Sequence, residues 1–99
     1  MLTISKNVSG ETAALSLEGR LDTVTAPELE AELKNTMEVI SDLQLDFGKL
    51  DYISSAGLRI LLAAQKVMAK KGSMTVTHVN ETIMEIFDVT GFSDILTIE

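Results

Sequence analysis

Two adjacent serines, Ser54 and Ser55, mark the part of the chain whose residue types best suit chemistry. They belong to the run Asp51-Tyr52-Ile53-Ser54-Ser55-Ala56-Gly57-Leu58-Arg59, which follows an alternating strand pattern ending at Phe47 and opens a long apolar helix pattern. A helix start has four unpaired backbone N–H groups and a partial positive charge. Such a start favours an anion, including a phosphate carried by a serine. We expect Ser55 to be a phosphorylation site, at which modification of the hydroxyl group acts as a switch.

The start of this middle helix differs from the starts of the two other predicted helices. If Ser55 is the N-cap, the positions of an apolar staple are taken by Ser54 and Arg59, and Gly57 in the first turn lowers helix propensity by about 1 kcal/mol relative to alanine. The other two starts have apolar pairs at staple spacing, Val24 with Leu29 and Val79 with Met84. A helix start with small, polar residues and no apolar staple predicts that another molecule can reach this end of the middle helix. The alternative is an ordinary serine cap followed by a glycine needed for close packing.

Enzymatic arrangements find little support in the sequence. The residues around Ser55 lack the first glycine of a G-x-S-x-G nucleophile elbow, because Ile53 stands there. The one histidine, His78, lies within a strand pattern, where we expect a half-buried structural side chain. No phosphate-binding loop of the Walker A or G-x-G-x-x-G type occurs. These observations predict no catalytic residue and no bound cofactor.

Three aspartates keep one enzymatic alternative open. Asp22, Asp46 and Asp51 lie at strand ends or loops near one edge of the predicted sheet, where carboxylates could bind Mg²⁺ or transfer protons. A small metal-dependent hydrolase is therefore a remote alternative. Aspartates in loops serve more often in turn hydrogen bonds and solvation, so we expect no metal site.

Composition excludes several classes of protein. The chain has 99 residues, of which 45% are hydrophobic, and this suits one domain over residues 1–99 with a core of its own. Eight Lys and Arg residues against 15 Asp and Glu give a net charge of −7, which disfavours nucleic acid and anionic membrane surfaces as partners. Cysteine is absent, which excludes disulfides and thiolate chemistry. Neither a signal-peptide pattern nor a membrane-span pattern occurs, so we expect a cytoplasmic protein.

Periodicity predicts an α/β fold with the order β-β-α-β-α-β-α-β. Two short alternating strands joined by a glycine-containing turn indicate a hairpin, and Gly19–Thr23 is expected to leave the sheet. Thr25 and Glu28 match the capping box of the first helix, Asn80 matches the cap of the last, and Gly72 and Gly91 suit helix ends. Alternating strands and helices predict right-handed crossovers and a mixed, mainly parallel sheet of about five strands packed with three or four helices.

Three runs of the sequence resemble the signatures of one family, the STAS-domain anti-sigma factor antagonists. The most specific match is Leu45-Asp46-Phe47-Gly48-Lys49-Leu50-Asp51-Tyr52-Ile53-Ser54-Ser55-Ala56-Gly57-Leu58. The others are Gly19-Arg20-Leu21-Asp22 followed by Thr25-Ala26-Pro27-Glu28-Leu29, and Ile86-Phe87-Asp88-Val89-Thr90-Gly91-Phe92. The resemblance covers essentially the whole chain and implies a STAS-like fold.

The resemblance also implies a function. The unmodified domain would bind an anti-sigma factor of the histidine-kinase-like ATPase type, that partner would phosphorylate Ser55 and leave, and a phosphatase would reset the switch. Many relatives have aspartate where this chain has Ser54, so the choice between the two serines stays open. The residues expected to meet the partner are Asp22, Thr23, Ser54, Ser55, Ala56, Gly57 and Leu58. The alternative within this fold is a STAS subunit of a transporter or lipid-trafficking complex.

Overall fold

The computed structural model describes residues 1–99 and has the predicted α/β architecture and element order. A short 3₁₀ helix, Phe92–Asp94, precedes the last strand. The strands are β1 (Leu2–Ser9), β2 (Thr12–Leu21), β3 (Asp42–Ile53), β4 (Ser73–Thr77) and β5 (Thr97–Ile98), and the helices are α1 (Ala26–Met37), α2 (Ser55–Lys71) and α3 (Glu81–Thr90). None of the helices combines the length and the apolar character that a membrane span requires.

The five strands lie in the sheet in their sequence order, which determines where the helices pack. β1 and β2 form the predicted antiparallel hairpin, and every later pair is parallel. Because all the parallel crossovers proceed in one direction, right-handed connections place the three helices on the same face. On β3, Leu43, Leu45 and Phe47 are buried beneath these helices, whereas Gln44 on the opposite face is exposed. The carboxyl ends of β2, β3 and β4 therefore share one edge.

β2 and β3 continue beyond the residues at which the alternation of apolar and polar side chains breaks. Of the segment Gly19–Thr23, Asp22 and Thr23 leave the sheet as expected, but Gly19–Leu21 stay in β2. The expectation that β3 ends at Phe47 is wrong, because β3 reaches Ile53. The pairing offset rises by two residues between the Ser16–Asp46 pair and the Leu21–Ile53 pair. Bulges of this kind insert unpaired residues without ending a strand, so the later buried side chains of β3 fall out of simple alternation. As a result, β3 reaches Ile53, directly before the two serines.

The capping box and staple expected at the start of α1 are wrong. Thr25 precedes the helix, but its buried hydroxyl donates to the Arg20 carbonyl oxygen and accepts from the Asp22 N–H, both at 2.8 Å, so it caps no helical N–H group. Val24 is 81% exposed while Leu29 is fully buried, so the two do not pack as a staple. Tertiary hydrogen bonds at the end of β2 take the place of the expected cap.

The limits of α3 are as predicted, and its cap also joins it to β3. The Asn80 Oδ1 atom accepts from the Ile83 N–H at 2.9 Å, and Asn80 Nδ2 donates to the Leu50 carbonyl oxygen at 2.8 Å. Gly91 ends the helix with φ at +84°, a backbone conformation that glycine adopts without strain. The rings of Phe87 and Phe47 lie 6.4 Å apart, so this helix covers the middle of β3.

Gly72 ends α2 as predicted, and close backbone approach explains why a glycine is there. A Cβ atom on Gly72 would lie 1.9 Å from the Ser41 carbonyl oxygen. That carbonyl oxygen accepts from the Ser73 N–H at 3.0 Å as β4 begins beside β3. The end of α2 therefore has no room for a side chain.

We predict that Gly72→Ala lowers the free energy of unfolding by about 2–3 kcal/mol, because the clash is with main-chain atoms that must shift. Gly10→Ala is the control. Its Cβ atom meets nothing within 4 Å, and only its φ of +61° is unfavourable, which costs about 1–2 kcal/mol. Urea unfolding of both variants measures the difference, and a smaller loss in Gly72→Ala than in Gly10→Ala would contradict this account.

Candidate functional site

Ser54, and not Ser55, is the N-cap of α2. Its backbone is extended, with φ −96° and ψ 174°, and its Oγ atom accepts from the Gly57 N–H at 3.3 Å. The staple positions are consequently Ile53 and Leu58, and both side chains are buried in the core. The expectation that this helix start lacks an apolar pair is therefore wrong, because it rested on a cap placed one residue too late.

Ser55 occupies the first position of the helix and is exposed to solvent. Its hydroxyl takes part in none of the side-chain hydrogen bonds of the structure, whereas the Ser54 hydroxyl is engaged in the cap. Arg59, also exposed, lies four residues later and so faces the same side of the helix. Of the two serines, Ser55 presents the free hydroxyl group next to positive charge.

The turn between β2 and α1 is held by Asp22. Its Oδ1 atom accepts from the Val24 and Thr25 N–H groups, each at 3.0 Å. The Thr25 hydroxyl lies 3.2 Å from the same atom and shares its one proton between Asp22 Oδ1 and the nearer Arg20 carbonyl oxygen. The Thr25 N–H is the main cause that holds the pKa of Asp22 below its ordinary value, aided by the Thr25 hydroxyl and the Val24 N–H and opposed by partial desolvation. Asp22 therefore works as an ionised acceptor that orders this turn.

The turn and the start of α2 are attached to each other. The Ser54 N–H donates to the Leu21 carbonyl oxygen at 2.8 Å. A Cβ atom on Gly57 would lie 2.7 Å from Leu21 Cγ, so this glycine allows the helix to pack against the end of β2. Close packing is thus the structural reason for the glycine, as the alternative interpretation of the sequence held.

The residues expected to meet a partner come together at this edge, but their accessibility differs. Thr23 and Ser55 are exposed, and Ala56 lines a shallow cavity between α1 and α2 together with Thr23 and Arg59. Gly57 and Leu58 are buried. These two shape the site from below, and the exposed residues form its surface.

The three aspartates of the hydrolase alternative do not assemble into a metal site. No group of three or more acidic or histidine side chains with metal-binding geometry occurs. The Asp22 Oδ1 atom serves the turn, while the Asp46 Oδ1 atom accepts from the Gly48 N–H at 2.8 Å. His78 lies beyond β4 with φ +57° and an exposed side chain, 3.1 Å from Asp46. The expectation of a half-buried strand histidine is wrong, because β4 ends at Thr77.

Sequence reasoning missed one pair beside the site. The Arg20 guanidinium lies over the Tyr52 ring, 4.3 Å from its centroid, and Arg20 Nε is 3.8 Å from Asp22 Oδ2. Arg20 and Tyr52 are register partners on β2 and β3. The sequence shows that Arg20 and Tyr52 are present, but it does not show the two-residue change in pairing offset that brings them opposite each other.

Comparison with known proteins identifies the family. The family model described as Mlab, STAS domain matches residues 4–97. Bordetella bronchiseptica BtrV, a protein to which an anti-sigma factor antagonist role is assigned, is 36% identical over 83% of this chain and 72% of its own length. The anti-sigma-B factor antagonist of Bacillus subtilis is 29% identical over 85% of this chain and 78% of its own length. The chain belongs to the STAS domain family.

Solved structures agree on the fold. An anti-sigma factor antagonist from Mycobacterium paratuberculosis superposes with a TM-score of 0.90 at 22% identity, covering 99% of this chain and 85% of its own. The unphosphorylated form of SpoIIAA, also an anti-sigma factor antagonist, superposes with a TM-score of 0.77 at 17% identity, covering 98% of this chain and 87% of its own. At these identities the likeness concerns the fold alone.

We predict that the two serines differ in their effect on stability. Ser54→Ala removes the cap and should lower the free energy of unfolding by about 1 kcal/mol. Ser55→Ala removes an exposed hydroxyl without a partner and should change it by less than about 0.5 kcal/mol. Urea unfolding of the two variants is the measurement, and the reverse order would mean that Ser55 is the true cap.

We also predict that Asp22 stabilises the fold in a pH-dependent manner. Because its pKa is lower in the folded than in the unfolded state, its contribution is present above the unfolded pKa and is lost as the pH falls through the folded pKa. Asp22→Asn keeps an acceptor oxygen but loses the charge. The free energy of unfolding of the wild type should exceed that of Asp22→Asn at pH 7, and the two should converge in acid.

Asp51→Asn controls for net charge, since it neutralises an exposed carboxylate at the same edge. A difference between wild type and Asp22→Asn that stays constant from pH 7 down to pH 2 would contradict the assignment. NMR titration of the Asp22 carboxyl carbon tests the lowered pKa directly.

Proposed function

We propose that this protein is an anti-sigma factor antagonist whose partner binding is switched by phosphorylation of Ser55. The single observation that carries the proposal is the exposed, unbonded Ser55 hydroxyl at the first position of α2, beside a turn held by Asp22. The roles of BtrV and of the Bacillus subtilis relative support it. The domain then acts as a cytoplasmic binding module and not as an enzyme.

The proposed partner is an anti-sigma factor of the histidine-kinase-like ATPase type. In the phosphorylation step, the γ-phosphoryl group of the partner's ATP, held with Mg²⁺, passes to Ser55 Oγ. The hydroxyl proton leaves to a base or to water, and ADP is released. A phosphatase restores the hydroxyl by hydrolysing the ester. This domain contributes the acceptor hydroxyl and its surroundings, and the partner contributes the nucleotide.

Electrostatics explains how the modification would separate the complex. A phosphoserine adds about −1.5 to −2 charges and three acceptor oxygens at neutral pH. The helix N-terminus and Arg59 tolerate that charge within the free domain. At an interface fitted to a neutral hydroxyl, the same charge adds bulk and a desolvation cost. A loss of about 3–4 kcal/mol would weaken the complex by two to three orders of magnitude.

The switch as proposed acts at the surface and leaves the fold unchanged. Ser55 is exposed and outside the core cluster, so its modification displaces no packed side chain. In support, the phosphorylated form of Bacillus SpoIIAA superposes on this chain as well as the unphosphorylated form does, each with a TM-score of 0.77.

We predict that the wild type gains one phosphate at Ser55 when incubated with ATP and the ATPase-type anti-sigma factor identified by pull-down, and then releases it. Ser55→Ala should stay bound, and Ser55→Asp should bind at least ten-fold more weakly. Calorimetry and intact mass measure both effects. Ser9→Asp is the control, because it adds the same charge at an exposed position in the β1–β2 hairpin, at the opposite edge of the sheet.

Phosphate on Ser54 instead of Ser55, or equal affinity of wild type and Ser55→Asp, would overturn the switch. Co-purification with membrane transport components in place of an ATPase-type anti-sigma factor would favour the alternative function as a subunit of a transporter or lipid-trafficking complex.

A further inference from the structure

β1 is the outer strand on one side of the sheet, so one row of its backbone groups has no partner strand. The outer strand on the other side, β5, has only two residues, whereas β1 has eight. A long exposed edge is a place where another strand can add to a sheet. We propose that β1 pairs with β1 of a second copy of this chain, antiparallel and about a two-fold axis at Ser5. This dimer is independent of the proposed function.

β1 lacks the features by which proteins usually block an exposed edge. Its pairing with β2 is continuous along the strand, so no bulge twists it away from an incoming strand. Its sequence contains no proline and none of the 15 acidic residues of the chain. Its single charged side chain, Lys6, lies 2.7 Å from Glu32 of α1. The edge is therefore close to neutral, although the whole chain has a net charge of −7.

The hydrogen bonds of the hairpin decide which residues of β1 direct their backbone groups outward. The Arg20 N–H donates to the Met1 carbonyl oxygen at 3.1 Å, so Met1 and Arg20 form a hydrogen-bonded pair. In an antiparallel ladder such pairs alternate with pairs that exchange no hydrogen bond. The odd-numbered residues of β1 therefore bond to β2. The residues that direct N–H and C=O groups away from the sheet are the even-numbered ones, Leu2, Ile4, Lys6 and Val8.

The side chains favour one register for the two β1 strands. Opposite residues must lie on the same face, and the even-numbered residues must form the hydrogen-bonded pairs. An axis at Ser5 meets both conditions and places Leu2 opposite Val8 of the second copy, which covers a valine that is 46% exposed in a single copy. It also places Ile4 opposite Lys6. An axis at Lys6 would meet the same conditions but would set two lysines opposite each other, which is unfavourable.

The proposed dimer leaves the candidate site accessible in both copies. β2 separates β1 from β3, the strand that leads to Ser55. Because β1 is antiparallel to β2 in each copy, the β2 strands of the two copies run in opposite directions. Their carboxyl ends, and with them the two Ser55 hydroxyls, lie at opposite ends of the dimer. One dimer would therefore present two separate sites.

Disulfide cross-linking tests the register, and each introduced thiol is unambiguous because the chain has no cysteine. In the proposed pairing the Cα atoms of the two Ser5 residues lie about 4.5 Å apart, which permits a disulfide. Thr3→Cys is a matched control, since Thr3 is exposed on the same face but the two copies of Thr3 would lie about 13 Å apart. We expect copper phenanthroline to cross-link Ser5→Cys at least five-fold faster than Thr3→Cys.

A mixture of two single variants tests the same register at a second pair. Thr3 of one copy lies opposite Asn7 of the other, so Thr3→Cys mixed with Asn7→Cys should cross-link faster than either variant alone. Mass spectrometry of the cross-linked peptides identifies the joined positions. Equal rates for Ser5→Cys and Thr3→Cys, or no cross-linking of Ser5→Cys, would overturn the proposed pairing.

Sedimentation velocity of the unmodified chain tests whether the dimer forms without a cross-link. The mass should rise from one chain to two as the concentration increases, and a single chain at every concentration would contradict the proposal. Val8→Pro removes an outward N–H group, which an edge strand tolerates, and should weaken the dimer at least ten-fold. Val8→Thr keeps that N–H group and should stay within about three-fold of the wild type. Equal dimerisation of the two variants would also overturn the inference, and thermal melts followed by circular dichroism check that both remain folded.

Discussion

A 2.8 Å hydrogen bond from the Ser54 N–H to the Leu21 carbonyl oxygen joins the end of β2 to the residue that caps α2. It continues the parallel pairing of β2 with β3, whose last partners are Leu21 and Ile53. Because both strands end at the same edge, the turn held by Asp22 and the exposed Ser55 become neighbours. If this pairing shifted by one residue, the turn and the start of α2 would no longer meet in the same register.

Stabilisation and presentation are divided between adjacent residues. The Ser54 hydroxyl accepts the hydrogen bond that caps the helix, whereas the Ser55 hydroxyl makes no hydrogen bond within the domain. Thr25 is buried and bonded, whereas Val24 beside it is in solvent. Gly57 permits close packing under the site instead of loosening it. The exposed residues at this edge therefore lie on a hydrogen-bonded and closely packed support. In the function proposed here, such a preorganised surface limits the entropy lost on binding.

Much of the fold followed from local patterns. The element order, the Asn80 cap and the Gly91 end of α3 depend on residues within a few positions of each other, so periodicity and capping chemistry predict them. The resemblance of Leu45–Leu58 to STAS signatures likewise rests on one contiguous segment, and the family match confirms it. The residues next to Ser55 in the sequence also point to this serine, although the cap of α2 is Ser54 and not Ser55 as expected.

The sequence by itself thus determined the α/β class, the succession of elements and the family, and it predicts a site in the segment around Ser55. Only the tertiary structure decided how β2, β3 and the turn before α1 align with one another around Ser55. The bulges between β2 and β3 carry β3 to Ile53 and place Arg20 over Tyr52, which are far apart in the chain. Thr25 bonds to Arg20 and Asp22 instead of capping α1, and Val24 is left in solvent. These outcomes depend on long-range strand register and on competition for hydrogen-bond partners. Local periodicity encodes neither the register nor the outcome of that competition.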